Sequence, residues 1–124
     1  MLLIFGGAYQ GKRDYAKCAC GLSDDDIFLC AEAAIDPDFP AIAGLEAFSL
    51  ACVDIGREPI DELRRQCPDL SKKVLIADDI SCGVVPTDPV LRAWREAHGR
   101  MLNALAKEAD GVVRLFCGLP QVLK

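Results

Sequence analysis

Apolar residues run along this chain in two rhythms. Short, nearly uninterrupted runs occur at residues 2–5, 27–30, 74–77 and 112–117. Runs of this length with no polar alternation are expected for strands buried on both faces. Between them the apolar positions recur every three or four residues. Ile42, Leu45, Phe48, Cys52 and Ile55 predict an amphipathic helix over about 41–56, ending near Gly56. Leu91, Trp94, Met101, Leu102 and Leu105 predict the longest helix, about 89–109, with Asp88 as its cap and Pro89 in its first turn.

Shorter helices are predicted at 12–20, closed by Gly21, and from Pro59 to about residue 66, stopped by Cys67-Pro68. Asp24, Asp25 and Asp26 read as a solvated loop, and two prolines within residues 36–40 as a rigid break. Strands separated by helices predict an α/β fold, with a mostly parallel sheet of about four strands flanked by helices. No repeat or linker divides the chain, so residues 1–124 read as a single domain.

One junction carries chemistry. Behind the first apolar run stands Gly6-Gly7-Ala8-Tyr9-Gln10-Gly11-Lys12-Arg13, with the G-x-x-x-x-G-K skeleton of a phosphate-binding loop between a strand and a helix. Glycines let the backbone approach a phosphate, the helix N-terminus adds its dipole, and Lys12 supplies a point charge. From average composition the skeleton arises by chance in roughly 3% of chains of this length. The hydroxyl residue that usually follows the lysine is replaced by Arg13. A guanidinium can neutralise phosphate but cannot ligate Mg²⁺, so the loop supports nucleotide binding more directly than Mg²⁺-dependent transfer.

Asp78 and Asp79 close the third apolar run, at the strand end where ligands bind in open α/β sheets. A carboxylate there could hold a metal's water shell or activate a hydroxyl. Arg92, Arg95 and Arg100 read as solvated partners of surface ion pairs. His98 falls on the apolar seam of the long helix, where a packed, hydrogen-bonded role is expected before a catalytic one.

Composition narrows the picture. A net charge of −5 disfavours nucleic acid as a partner. No apolar run approaches the roughly 20 residues of a membrane span, and the first run has no basic segment before it, so a cytoplasmic address is expected. The seven cysteines are odd in number and contain no C-x-x-C pair, which predicts buried free thiols rather than disulfides or metal.

The segments Asp78-Asp79-Ile80-Ser81-Cys82-Gly83-Val84-Val85-Pro86 and Arg92-Ala93-Trp94-Arg95-Glu96-Ala97-His98-Gly99-Arg100 carry a resemblance. So do Ala109-Asp110-Gly111-Val112-Val113 and Cys117-Gly118-Leu119-Pro120-Gln121-Val122-Leu123-Lys124. Together they are similar to the C-terminal part of the bifunctional adenosylcobinamide kinase/adenosylcobinamide-phosphate guanylyltransferase family of cobalamin biosynthesis. That family reads approximately N-E-V-G-x-G-x-V-P, R-x-F-R-D-x-x-G-R and A-D-x-V…G-L-P-x-x-L-K in this region, and its opening loop resembles residues 6–12.

The resemblance implies a P-loop NTPase-like domain that binds ATP or GTP and acts on a corrinoid side chain. Such a protein transfers phosphate to the aminopropanol hydroxyl and then GMP to that phosphate, and it forms homo-oligomers. It implies that Lys12 is the loop lysine and that Asp79 stands where the family has its Glu, with Asp78 at the preceding Asn. The family accepts GMP on a histidine in its middle region. Residues 21–72 here contain none, and this region is shorter, so guanylyl transfer through a histidine finds no support. The alternative reading is a non-catalytic, nucleotide-binding regulatory or oligomeric scaffold protein.

Overall fold

The computed structural model describes residues 1–80 and 87–124. Residues 81–86, which carry part of the family-like segment and Cys82, lie outside the described residues.

The apolar runs form strands β1 (Leu2–Gly6), β2 (Ile27–Leu29), β4 (Val74–Asp78) and β5 (Gly111–Phe116). The periodic segments form α1 (Lys12–Cys20), α2 (Leu45–Asp54), α3 (Pro59–Gln66) and α4 (Pro89–Glu108). Asp88 caps α4 as its sequence implies, its Oδ1 accepting from the amides of Val90 and Leu91 at 2.8 and 3.3 Å. Two strands were not expected. Residues Ala41–Ala43 form β3 instead of the first turn of the helix, and Leu119–Val122 form β6. The described residues therefore hold a six-stranded sheet, in the order β2-β3-β4-β1-β5-β6. It is parallel throughout except for β6, which runs antiparallel to β5.

β2 is an edge strand rather than an interior one, and Leu29 is 56% exposed. Asp24–Asp26, expected as a solvated loop, form a short 3₁₀ turn with Asp24 and Asp25 exposed and Lys17 Nζ 2.6 Å from Asp24 Oδ1.

Side chains alternate across the sheet, and the two faces are covered unequally. Leu3, Leu75, Ala77 and Val112 pack with Phe48 of α2, Leu63 of α3, and Met101 and Leu105 of α4. Ile4, Ile76, Val113 and Leu115 pack on the other face with Ala16 of α1. Burying each large apolar side chain contributes about 1.5–3 kcal/mol, so the three-helix face carries most of the stabilisation. β1 and β4 are neighbours, yet the helices that follow them lie on opposite faces of the sheet. That divergence opens a crevice at their C-terminal ends, the place where α/β sheets take ligands.

Candidate nucleotide-phosphate site

Strand β1 delivers the chain to this crevice at Gly6. A Cβ on Gly6 would stand 2.5 Å from the Leu115 carbonyl oxygen, so the close approach of β5 requires glycine there. The loop then crosses to α1. Tyr9 holds a left-handed φ of 61°, with its side chain fully in solvent. Gly11 caps α1 with φ at 84°, a conformation that costs other residues about 1 kcal/mol.

The apex of the loop is tied to the turn between β5 and β6. Cys117 N–H donates to the Gln10 side-chain oxygen, and Gly118 N–H donates to the Gln10 carbonyl at 3.2 Å. That turn has positive φ at both Cys117 and Gly118, as a two-residue hairpin turn matching strand twist demands.

Lys12 points inward and is only 8% exposed. Its Nζ donates to the Gly7 carbonyl at 2.7 Å and stands 2.6 Å from Asp78 Oδ1. A cleft of about 510 Å³ opens here, lined by residues 8–14 together with Gly44, Glu46 and Asp78. Arg13, exposed on the first turn of α1, is on its wall.

The two carboxylates expected to act together are separated. Asp78 lines the loop cleft, whereas Asp79 lines a second cavity of about 380 Å³ between β1 and α4, with Phe5, Arg95 and Leu102. Consecutive residues of an extended strand point to opposite faces, which accounts for the division. Lys12 and Asp78 are thus brought together, and Asp79 is placed on the far side of the strand end.

The end of β4 is held from both sides. Asp78 N–H donates to Glu46 Oε1 at 2.9 Å, and His98 Nε2 lies 2.9 Å from the Asp78 carbonyl. A carbonyl only accepts, so His98 carries its proton on Nε2 and leaves Nδ1 for the Ser49 hydroxyl, 2.8 Å away. Trp94 Nε1 donates to that hydroxyl oxygen at 2.9 Å. His98 is 1% exposed, and burial lowers its pKa against the opposing pull of the Asp78 carbonyl and of nearby carboxylates. It is packed and hydrogen-bonded, as its position on the seam implied.

Gln10, expected as a residue of the loop, and Trp94, expected on the helix seam, complete the surroundings with Glu46 and Ser49, to which sequence reasoning gave no role. Glu46 could have been found by placing a strand end at Ala43 and a turn at Gly44, which would put it at the ligand-binding edge. Nothing in the spacing pairs Ser49 with His98, because the contact joins helices far apart in the chain.

Arg100 pairs with Glu58 at 2.9 Å on the surface, as an ion-pairing arginine should. The thiols are not uniformly buried: Cys30, Cys52 and Cys67 are, but Cys18 and Cys117 are exposed and Cys20 is half-buried. Burial pushes the Cys30 thiol up to about 12 and that of Cys52 to about 11. Among the described residues no three His, Cys, Asp or Glu side chains converge as a metal site. Asp78 and Asp79, both expected at a metal, line different cavities, and Arg13 stands where the loop hydroxyl that ligates Mg²⁺ is usual. Among the described residues no helix is long and apolar enough to cross a membrane.

Fold and crevice together define an α/β protein with a glycine-rich, lysine-bearing turn at the point where its parallel sheet divides. The family model for cobinamide kinase / cobinamide phosphate guanyltransferase matches residues 54–123, more than half of the chain, and the chain belongs to that family. The match takes in the C-terminal segments whose resemblance was read from the sequence. It begins beyond the loop, so the reading of residues 6–13 rests on that loop's own residues and geometry. No curated protein matches the chain at a significant level of similarity.

Proposed function

We propose that this chain binds the phosphates of ATP or GTP in the cleft at residues 6–13, in a P-loop NTPase-like fold, and phosphorylates a hydroxyl on a corrinoid side chain. The observation that carries the reading is the inward-turned Lys12, 8% exposed and 2.6 Å from Asp78 at the division of a parallel sheet. Family membership over residues 54–123 supports the corrinoid acceptor. In this reading the loop amides and Lys12 hold the terminal phosphates. Asp78 takes the proton of the acceptor hydroxyl as its oxygen bonds to the γ-phosphorus and the nucleoside diphosphate leaves. Guanylyl transfer is not part of the proposal, because His98 is enclosed by Ser49 and the Asp78 carbonyl.

A second reading, a nucleotide-binding subunit without catalysis, is favoured by Arg13 in the hydroxyl position. Incubating the purified protein with Mg²⁺, γ-labelled ATP or GTP and cobinamide separates the two. Labelled phosphocobinamide supports the kinase; saturable nucleotide binding with no product supports the second reading. Self-association belongs to the same proposal and is checked by sedimentation.

A further inference from the structure

The peptide group joining Asp78 to Asp79 is bonded at both of its polar ends. Its carbonyl, from Asp78, lies 2.9 Å from His98 Nε2, and its N–H, from Asp79, donates to the Gly6 carbonyl at 2.7 Å. The second bond is the last rung between β1 and β4, and Gly6 is the first residue of the glycine-rich loop. The plane of this one peptide therefore sets the base of the loop, and it lies between two aspartates that line different cavities. Glu46 Oε1 secures the preceding amide, that of Asp78, at 2.9 Å.

His98 is itself fixed. It is 1% exposed, its Nδ1 is bonded to Ser49 Oγ at 2.8 Å, and Trp94 Nε1 donates to the same hydroxyl oxygen at 2.9 Å. A core position would be filled by a leucine at lower polar cost, since every buried polar atom must find a partner. Here each imidazole nitrogen has one, and the partner of Nε2 is the strand end behind the phosphate loop.

We propose that His98 is a positioning residue: through its Nε2–H bond to the Asp78 carbonyl it locks the Asp78–Asp79 peptide plane and so holds the base of the loop at Gly6. The part that concerns nucleotide rests on the function proposed above, whereas the peptide lock itself does not.

The test uses His98→Leu, His98→Gln and, as a control, Met101→Ala, which opens the same core one turn further along α4 without touching the bond to the Asp78 carbonyl. Gln can present its amide nitrogen close to the place of Nε2. Amide hydrogen exchange of Asp79 is the direct readout. His98→Leu should speed exchange at Asp79 at least about tenfold relative to the amides of β5, with His98→Gln restoring protection and Met101→Ala leaving that ratio as in the parent. ATP and GTP titrations of the same proteins should show His98→Leu weakening affinity about fivefold or more, with Gln recovering most of it. Asp79 protection that survives in His98→Leu, or is lost equally in Met101→Ala, overturns the inference. If the parent protein binds neither nucleotide, the function proposed above fails, while the exchange data still decide the lock.

Discussion

Replacing Asp78 by Asn removes one negative charge from the cleft while keeping the side chain's shape. In a nucleotide complex, Lys12 Nζ would stand between the carboxylate, now 2.6 Å away, and a phosphate oxygen. With a normal charge-assisted contact on its far side, that oxygen would lie about 5 Å from Asp78 Oδ1. Two unit negative charges at that distance repel by about 3 kcal/mol at an effective dielectric of 20. The Asp78 side chain is 29% exposed, and water reduces the penalty to about 1 kcal/mol. Asp78→Asn should therefore bind ATP and GTP about fivefold more tightly in EDTA. The gain should shrink as salt is added. Stability should move the other way, falling by up to about 1 kcal/mol as a part-buried ion pair is lost. Isothermal titration at two salt concentrations, with urea denaturation of the same samples, measures both. The same variant should form no phosphocobinamide. Weaker nucleotide binding by Asp78→Asn in EDTA would refute the reasoning, since it would make the carboxylate an attractive part of the phosphate site.

Gly6→Ala places a Cβ 2.5 Å from the Leu115 carbonyl and should cost about 1–3 kcal/mol, with nucleotide affinity falling as β1 shifts; denaturant titration and calorimetry check this. Glu62, 6% exposed, is held down to about 2 from 4.5 by its hydrogen bonds from Arg65 and Gln66. Because its folded pKa is depressed, the stability it contributes is complete above pH 4.5 and is lost as pH falls towards 2; Arg65→Ala should flatten that acid limb in urea melts. Among the described thiols, mass-spectrometric mapping of native protein treated with iodoacetamide should find Cys18 and Cys117 modified first and Cys30 and Cys52 protected.

The readable parts of this fold are those in which one physical signal dominates. Glycine and lysine spacing placed the loop between β1 and α1, and Asp88-Pro89 marked the start of α4. Strand β3 was lost because its apolar Ile42 falls three residues before Leu45 and six before Phe48, a spacing that continues the helical pattern of α2. Strand β6 was lost for a different reason: Pro120 interrupts it and all four of its residues are exposed, a pattern tolerated only at a sheet edge. Two-residue alternation could have assigned Asp78 and Asp79 to opposite sides of the strand end. The link from His98 to the loop needed the folded chain, because it joins a helix seam to a backbone carbonyl and leaves no mark on side-chain spacing.

Amide-resolved NMR of the ¹⁵N-labelled protein titrated with ATP and GTP in EDTA tests the central claim, that main-chain groups of residues 6–13 and Lys12 hold the phosphates. The account predicts saturable shifts that are largest at the amides of residues 7–13, and their loss in Lys12→Met. Saturable shifts centred on another part of the chain, or the same response from Lys12→Met, would contradict it.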